Sequence, residues 1–315
     1  MDQARAQAAL AQIEEGLSRG LSPYELSVLY ADVIGVHRST IYRWVEAGYG
    51  GLTNLELERK VGFKKRTRRA KKATSHSRWR SYGAFEGLPD GVKASATEMD
   101  SVEGRRAGTQ AVLTLYGRAS HPLLALLLDE KTPEGVDRAL KRLKKMCPAH
   151  IYESLFRCVL TDNGEEFADE RGLGQAFGEG ADPKACPHLY YCDVRASQQK
   201  GSCEKNHSEI RQVLRKGMFA FDDLDAWDLS VVMSHANSNP RDALCGMSPI
   251  QMFCAAFGEQ GREFLAGLGV EQMGKDEMTL KPEILDAERK RRGERPVKRA
   301  EKKSWRAKTH PLRLA

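Results

Sequence analysis

The feature that most constrains this chain is a short apolar run, residues 156–160, that leads into Thr161-Asp162-Asn163-Gly164. Such a run predicts a β-strand, and Asn-Gly is a strong signal for a tight turn. The sequence therefore predicts that Asp162 lies at the end of a strand, with Gly164 permitting the turn that follows. About forty residues later, residues 200–215 have a helical pattern with Glu204 in the first turn.

A third carboxylate, Asp100, lies in another predicted strand, residues 97–102. Three carboxylates on separate rigid elements can converge on two divalent ions, which is the arrangement that phosphodiester cleavage and joining requires. Each carboxylate alone is weak evidence, because surface Asp and Glu are common and Asp162 could simply follow a strand. Asp100 has the least distinctive surroundings, and Glu98 and Glu103 are its alternatives.

The fold class expected for the central part is α/β (α+β), with a mixed sheet flanked by helices in an RNase H-like order. The predicted strands are 97–102, 111–116, 123–128, 158–161 and 188–192, and the predicted helices are 133–146, 200–215 and 224–235. A further helix is expected to begin within 164–170. The Gly-rich residues 171–187 are expected to form a surface loop.

The N-terminal residues predict a helical domain with a helix-turn-helix. Its expected helices are 2–19, 23–32, which Ser22 and Glu25 would cap, and 37–47. The side chains expected to contact DNA bases lie early in the last helix: Arg38, Ser39, Thr40, Tyr42 and Arg43. Three apolar residues of that helix, Ile41, Trp44 and Val45, would face the core. An ordinary helical hairpin with polar faces is the alternative.

The charge distribution favours a polyanionic partner. The chain has 50 Lys and Arg against 43 Asp and Glu, and eleven of these basic residues lie within 59–80, where no acidic residue occurs. Such a basic arm is typical of DNA phosphate binding, and a solvated linker is the alternative. The arm residues expected to contact DNA are Lys64, Lys65, Arg66, Arg68 and Arg69. Residues 281–315 form a second basic run, an irregular or helical tail.

The seven cysteines contain no Cys-x-x-Cys pair and do not indicate a disulfide framework. With no apolar leader and no run long enough to span a bilayer, we expect a cytoplasmic protein that does not contact membrane. A zinc site could only come from Cys186, His188, Cys192, Cys203 and His207. Their spacing matches no familiar zinc module, which favours free thiols.

Four segments together resemble bacterial insertion-sequence transposases of the DDE class, whose catalytic core is shared with retroviral integrases, and more narrowly the insertion sequence thirty family. They are 38–61 with Arg38-Ser-Thr-Ile-Tyr-Arg-Trp, 160–167 with Thr-Asp-Asn-Gly, 200–217 with Lys200-Gly-Ser-x-Glu-x-Asn, and 239–253 with Asn239-Pro-Arg. Asp162 and Glu204 are separated by 41 residues, more than the thirty-odd usual in that family.

The resemblance implies Asp100, Asp162 and Glu204 as the catalytic, metal-holding triad, with Mg²⁺ or Mn²⁺ as the cofactor. It also implies cleavage and joining of transposon ends on double-stranded DNA, in a homo-oligomer located at the bacterial nucleoid. Phosphate contacts would come from Lys205 and Arg211. The expected domains are a helix-turn-helix domain (1–57), a basic linker (58–93), a catalytic core (94–257) and a basic extension (258–315).

Two other functions stay open. A non-catalytic DNA-binding regulator, or a domesticated transposase relic, would keep the core only as a scaffold. A nuclease would cut DNA without joining it. Metal-dependent nicking separates the first from a transposase, and a joining assay separates the second.

Overall fold

The computed structural model describes residues 3–54, 57, 76–104, 108–119, 122–194 and 196–299, without the side chains of residues 197 and 201–206. The predicted arm residues Lys64, Lys65, Arg66, Arg68 and Arg69 lie outside the described residues, as do residues 300–315 of the basic tail.

The described chain begins with four helices, α1 (Gln3–Ser18), α2 (Pro23–Leu29), α3 (Ala31–Ile34) and α4 (Arg38–Glu46). Ser22 and Glu25 form the expected capping box at the start of α2. The predicted helix 23–32 is divided at Tyr30, which ends α2 and precedes α3. Gly35, at φ 59°, then adopts the left-handed conformation that turns the chain into α4. This is the helix-turn-helix order that the sequence predicts.

Apolar side chains from these helices form a core of their own. The fully buried members include Ile13, Leu17 and Leu26, together with Ile41 and Val45 of α4. Trp44 is partly buried against the same cluster. The apolar face of α4 therefore packs inward as its 3.6-residue period predicts.

The central part forms a five-stranded mixed sheet. Its strands are β1 (Thr97–Glu103), β2 (Ala111–Gly117), β3 (Leu123–Leu128), β4 (Val159–Thr161) and β5 (Leu189–Tyr191). The order across the sheet is β3-β2-β1-β4-β5, in which β1, β2 and β3 are antiparallel and β1, β4 and β5 are parallel. This topology is RNase H-like, and it confirms the expected fold class.

Nine helices accompany the sheet in the described part of the chain. They are α5 (Tyr82–Glu86), α6 (Asp90–Ala94), α7 (Pro133–Met146), α8 (Ala149–Phe156), α9 (Glu170–Ala176), α10 (Gly201–Val213), α11 (Ala226–Ser238), α12 (Pro249–Gly267) and α13 (Glu283–Arg291). One core cluster joins strand residues such as Leu113 and Leu124 to Leu140 of α7 and Met233 of α11. Residue 258, at the start of the predicted extension, lies inside α12.

Two local predictions are wrong. Residues 156–160 are not one strand, because Phe156 ends α8 and β4 begins only at Val159. The helix expected to begin within 164–170 is confirmed, because α9 begins at Glu170 after a single 3₁₀ turn, Glu165–Phe167. Residues 171–187 are not simply a surface loop, because α9 occupies their first part and buries Leu173 and Phe177.

A buried ion pair fastens the segment after α9 to the edge of the sheet. The Arg80 guanidinium donates two hydrogen bonds of 2.5 Å to the Glu179 carboxylate, and only 2% of each side chain is exposed. Arg80 also donates to the Leu189 carbonyl of β5 at 3.1 Å. Next to it, Ser81 forms an isolated parallel bridge with Tyr191. The edge strand β5 is therefore covered by the segment that precedes α5.

Residues after α12 return to the N-terminal helices. Met278 is buried in their core. The Leu280 N–H and the Thr279 hydroxyl both donate to the Arg19 carbonyl, at 2.9 and 3.0 Å. The Tyr30 hydroxyl donates to the Lys275 carbonyl at 2.8 Å. We call residues 273–280 the clasp, because they attach the N-terminal helices to the part of the chain that follows α12. Leu280 also belongs to the core around the sheet.

Candidate active site

Asp100 and Asp162 come together at the centre of the sheet. Asp100 lies in the middle of β1, and Asp162 directly follows β4. These strands are parallel neighbours in which Met99 pairs with Thr161, so the two aspartates continue the same register. The Lys200 ammonium nitrogen lies 3.0 Å from Asp100 Oδ2 and 3.9 Å from Asp162 Oδ2. A single cation therefore contacts both carboxylates.

Local hydrogen bonds fix the turn that holds Asp162. Its Oδ1 accepts from the Gly164 N–H at 3.1 Å, and the Asn163 side-chain amide donates to the Cys192 carbonyl at 2.7 Å. The predicted reason for Gly164 is wrong, because its φ of −65° suits any residue. A Cβ at this position would lie 2.6 Å from Glu166 Oε2, so any other residue would require the Glu166 carboxylate to shift.

Glu204 is carried to the same region by α10, in the first turn of that helix. The side chain of Glu204 lies outside the described residues. One turn later, His207 Nδ1 is 3.9 Å from Asp100 Oδ2, and its Nε2 is 2.7 Å from the Thr114 hydroxyl of β2. Because residues three apart share a helix face, Glu204 lies on the face of α10 that meets β1 and β2.

Burial dominates the electrostatics around Asp162. Desolvation raises the pKa of its carboxyl, and the nearby Lys200 ammonium opposes that rise. Glu166 adds to the negative charge and is itself buried. Its Oε1 accepts from the Ser101 hydroxyl at 2.5 Å and lies 3.2 Å from the Lys131 ammonium. The site is therefore a cluster of partly desolvated carboxylates that requires cations.

This donor set fits a hard divalent ion. Mg²⁺ and Mn²⁺ prefer carboxylate oxygens, and Asp100 and Asp162 already share one positive charge. Among residues whose side chains the structure describes, no group of three or more His, Cys, Asp or Glu has metal-binding geometry. Glu204, the third expected ligand, falls outside that set.

The alternatives to Asp100 have other partners. Glu98 is fully buried and pairs with Arg118, whose Nε lies 2.7 Å from its Oε1. Glu103 lies 2.6 Å from the Lys131 ammonium. Asp100 is the acidic residue of β1 that the Lys200 ammonium contacts together with Asp162.

The residues expected to contact DNA bases lie at the start of α4, and their surroundings differ. Arg38 pairs with Asp242, Nη1 to Oδ2 at 2.7 Å. His37 caps the helix by accepting from the Ser39 N–H, and Arg43 donates to the Thr40 hydroxyl at 3.3 Å. Tyr42 is 42% exposed. Arg43 and Tyr42 therefore face solvent, whereas Arg38 contacts the segment after α11.

Of the two α10 residues expected to contact phosphate, the structure describes the side chain of Arg211 only. Lys205 has no described side chain. Arg211 is half-buried, and burial lowers the pKa of its guanidinium. It donates a long hydrogen bond of 3.5 Å to the Leu214 carbonyl.

Two of the zinc candidates contact each other, with Cys186 Sγ 3.9 Å from His188 Nε2. Cys186 is exposed and Cys192 is buried. His188 Nδ1 is 2.7 Å from the Phe177 carbonyl, and His207 contacts Thr114 and Asp100. The side chain of Cys203 is outside the described residues.

Three site residues were missed by sequence reasoning: Lys200, Glu166 and, outside the zinc hypothesis, His207. The signal for Lys200 is its place four residues before Glu204, and Glu166 directly follows the Asp-Asn-Gly turn. Neither position alone indicates that its side chain turns toward the aspartates.

Several known proteins of similar sequence are named transposases or integrases. The chain is 24% identical over 215 residues to "Putative integrase ORF3" of Spiroplasma virus SpV1-R8A2 B, covering 68% of this chain and 62% of that protein. It is 24% identical over 250 residues to the transposase for insertion sequence element IS4351 of Bacteroides fragilis, covering 75% and 70%. It is 23% identical to the probable transposase for IS1161 of Streptococcus salivarius, covering 60% of this chain and 50% of that one.

The chain thus spans between about half and two thirds of the length of several transposase and integrase relatives. No protein-family model matches it. Among solved structures, the catalytic core domain of BIV integrase has a TM-score of 0.36 at 15% identity, covering 53% of this chain and 98% of that one. In the described part of the chain, every helix is too short or too polar to cross a bilayer.

Proposed function

We propose that this chain is a DNA transposase of the DDE class, related to the insertion sequence thirty family. It would bind the terminal inverted repeats of a mobile element, cleave a strand at each end and join that end to target DNA. The observation that carries this proposal is the meeting of Asp100 and Asp162 around one cation, beside the helix that bears Glu204. The relatives named transposase and integrase support it.

Asp100, Asp162 and Glu204 would hold the divalent ions, Mg²⁺ or Mn²⁺. Such ions supply polarisation of the phosphate and stabilisation of the leaving oxygen. The protein's own contribution is to place these carboxylates on rigid elements and to keep them partly desolvated. β1 and β4 fix the two aspartates in adjacent register, and the bonds made by Asn163 and Gly164 hold the turn after β4.

DNA recognition would belong to α4 and the basic arm. Arg38, Ser39, Thr40, Tyr42 and Arg43 would contact bases or nearby phosphates from α4. Lys64, Lys65, Arg66, Arg68 and Arg69 would contact phosphates along the arm, and Lys205 and Arg211 near the cleaved strand. Since two ends must be joined, a homo-oligomer assembled on DNA at the nucleoid is expected.

Cleavage of labelled DNA from the borders of this gene tests the proposal. Wild type should nick and join that DNA only with Mg²⁺ or Mn²⁺. Glu204→Gln and Asp162→Asn should bind the DNA normally and lose at least about 10³-fold in cleavage rate, because each removes a metal-holding charge. Glu259→Gln, on the surface of α12, is the matched control and should cut like wild type.

Tight binding without cutting by any of these proteins, wild type included, would support the DNA-binding regulator instead. Cutting without joined products would support the nuclease. Full cutting by Glu204→Gln would remove Glu204 from the site.

A further inference from the structure

Lys200 is a buried lysine in an acidic site. Its residue is 4% exposed, and its ammonium donates to the Met99 carbonyl at 3.2 Å while contacting Asp100 and Asp162. Lysine is rarely buried, because its ammonium is a strongly hydrated point charge, and such burial requires partners of opposite charge. Here the partners are two carboxylates that would repel each other without a cation between them.

The position of Lys200 in the chain links it to the third expected carboxylate. It is the last residue of a 3₁₀ turn, Ser197–Lys200, and α10 begins at the next residue. Its long, flexible side chain reaches back to β1 and β4, while the backbone continues toward Glu204. The ammonium therefore lies where cation charge is needed, on a stem that can move without unfolding a helix.

We propose that Lys200 is a positioning residue that holds the carboxylates of Asp100 and Asp162 together without metal and competes with the divalent ion for them. The inference rests on the proposed function, since it takes these aspartates as metal ligands. The Lys200 ammonium lies 3.0 and 3.9 Å from the two carboxylates. A divalent ion held by the same carboxylates would be strongly repelled by that ammonium. Metal binding therefore requires the ammonium to leave Asp100. Lys200 thus weakens metal affinity and offsets the repulsion between the two carboxylates when no metal is bound.

Lys131 is a second lysine near the site that can be compared with Lys200. It also pairs with two carboxylates, Glu103 and Glu166, at 2.6 and 3.2 Å. Its side chain is 28% exposed, against 6% for Lys200. Replacing Lys131 removes a lysine of similar pairing but does not remove the cation that Asp100 and Asp162 share. Lys131→Met is therefore the matched control.

The test is a titration of the full chain with Mn²⁺, in which electron paramagnetic resonance measures the concentration of the free ion. Lys200→Met should bind Mn²⁺ with a dissociation constant at least about tenfold lower than wild type, because the competing charge is gone. Lys200→Gln, which can still donate to the Met99 carbonyl, should behave in the same way. Lys200→Arg and Lys131→Met should stay within about threefold of wild type.

Circular dichroism establishes that each variant is folded, and Lys200→Gln serves if Lys200→Met is not. If Lys200 has only a structural role, its replacement will lower the melting temperature equally at every Mn²⁺ concentration and leave the dissociation constant for Mn²⁺ unchanged. That result would overturn the inference. Asp162→Asn tests the metal site separately. If it binds Mn²⁺ as wild type does, the proposed ligands are wrong, whatever Lys200 does.

Discussion

The Arg38 guanidinium, in the first turn of α4, lies 2.7 Å from the carboxylate of Asp242, which follows α11. The pair joins the helix proposed to contact DNA bases to the part of the chain that carries the proposed active site. The two side chains are 37% and 62% exposed, so solvent screens the pair and it contributes little to folding stability. Under the proposed function its effect lies in DNA binding, where Asp242 would compete with phosphate for Arg38.

Asp242→Asn should therefore strengthen DNA binding about two- to fivefold at low salt and steepen the salt dependence by about one released ion. Fluorescence anisotropy with a labelled terminal repeat, repeated over a range of salt concentrations, measures both quantities. Asp137→Asn removes a surface aspartate that pairs with Lys141 in α7, and it should change neither. An unchanged affinity in Asp242→Asn would show that Arg38 does not contact DNA.

Folding stability should depend on pH through Glu25. Burial, followed by the nearby Glu209 carboxylate, raises the pKa of Glu25 from 4.5 to about 7. The folded protein therefore holds this proton more tightly than the unfolded chain does. The stabilisation is complete below pH 4.5 and is lost as the pH rises through about 7.

Glu25→Gln removes this titration and can still accept from the Ser22 N–H, as Glu25 does at 2.6 Å. At pH 8 the variant should be more stable than wild type by up to about 3 kcal/mol, and at pH 4 nearly equal to it. Urea unfolding at several pH values measures the difference. Glu14→Gln, on the exposed face of α1, is the control. A constant difference across this range would argue against a raised pKa.

The buried Arg80–Glu179 pair should be costly to break from one side. Arg80→Met leaves the Glu179 carboxylate buried with only the backbone N–H groups of His188 and Leu189, and should cost about 3–5 kcal/mol. The double variant Arg80→Met with Glu179→Leu should recover most of that loss. Denaturant unfolding of both variants, with each single change, gives the coupling energy. Equal losses in the single and double variants would contradict this account.

Met278→Ala should destabilise the N-terminal helices more than the sheet. Met278 is 1% exposed within their core, and such a truncation costs about 2–5 kcal/mol. Hydrogen exchange should speed up in α1 and α4 and change less in β1 and β2. Met146→Ala, at a methionine 49% exposed at the end of α7, should leave both regions unaffected. Uniform acceleration would mean that the two cores open as one unit.

Much of this fold could be predicted because its signals are local. Strands β2 and β3 coincide with apolar runs, and Ser22 and Gly35 mark helix boundaries with specific backbone geometry. The exception at residues 156–160 arises because α8 ends at Phe156 and β4 begins at Val159, so only Arg157 and Cys158 separate two buried apolar segments. In residues 171–187, Gly-rich composition conceals the buried Leu173 and Phe177.

The candidate site was predictable only in part, for a physical reason. Asp100 and Asp162 lie at strand positions, and strand register determines their meeting. Lys200 reaches them through a long side chain whose direction depends on the packing of α10 against the sheet. The same holds for Glu166, which bonds to Ser101 of β1. Contacts made by flexible side chains across separate elements leave no periodic signal in a sequence.

The clasp at 273–280 also orders events during synthesis of the protein. A ribosome releases α1 to α4 first, but their core still lacks Met278 and the bonds that Thr279 and Leu280 make to Arg19. The N-terminal helices reach their final packing only after most of the chain has emerged. A prematurely terminated product would therefore carry α4 on an incomplete hydrophobic core.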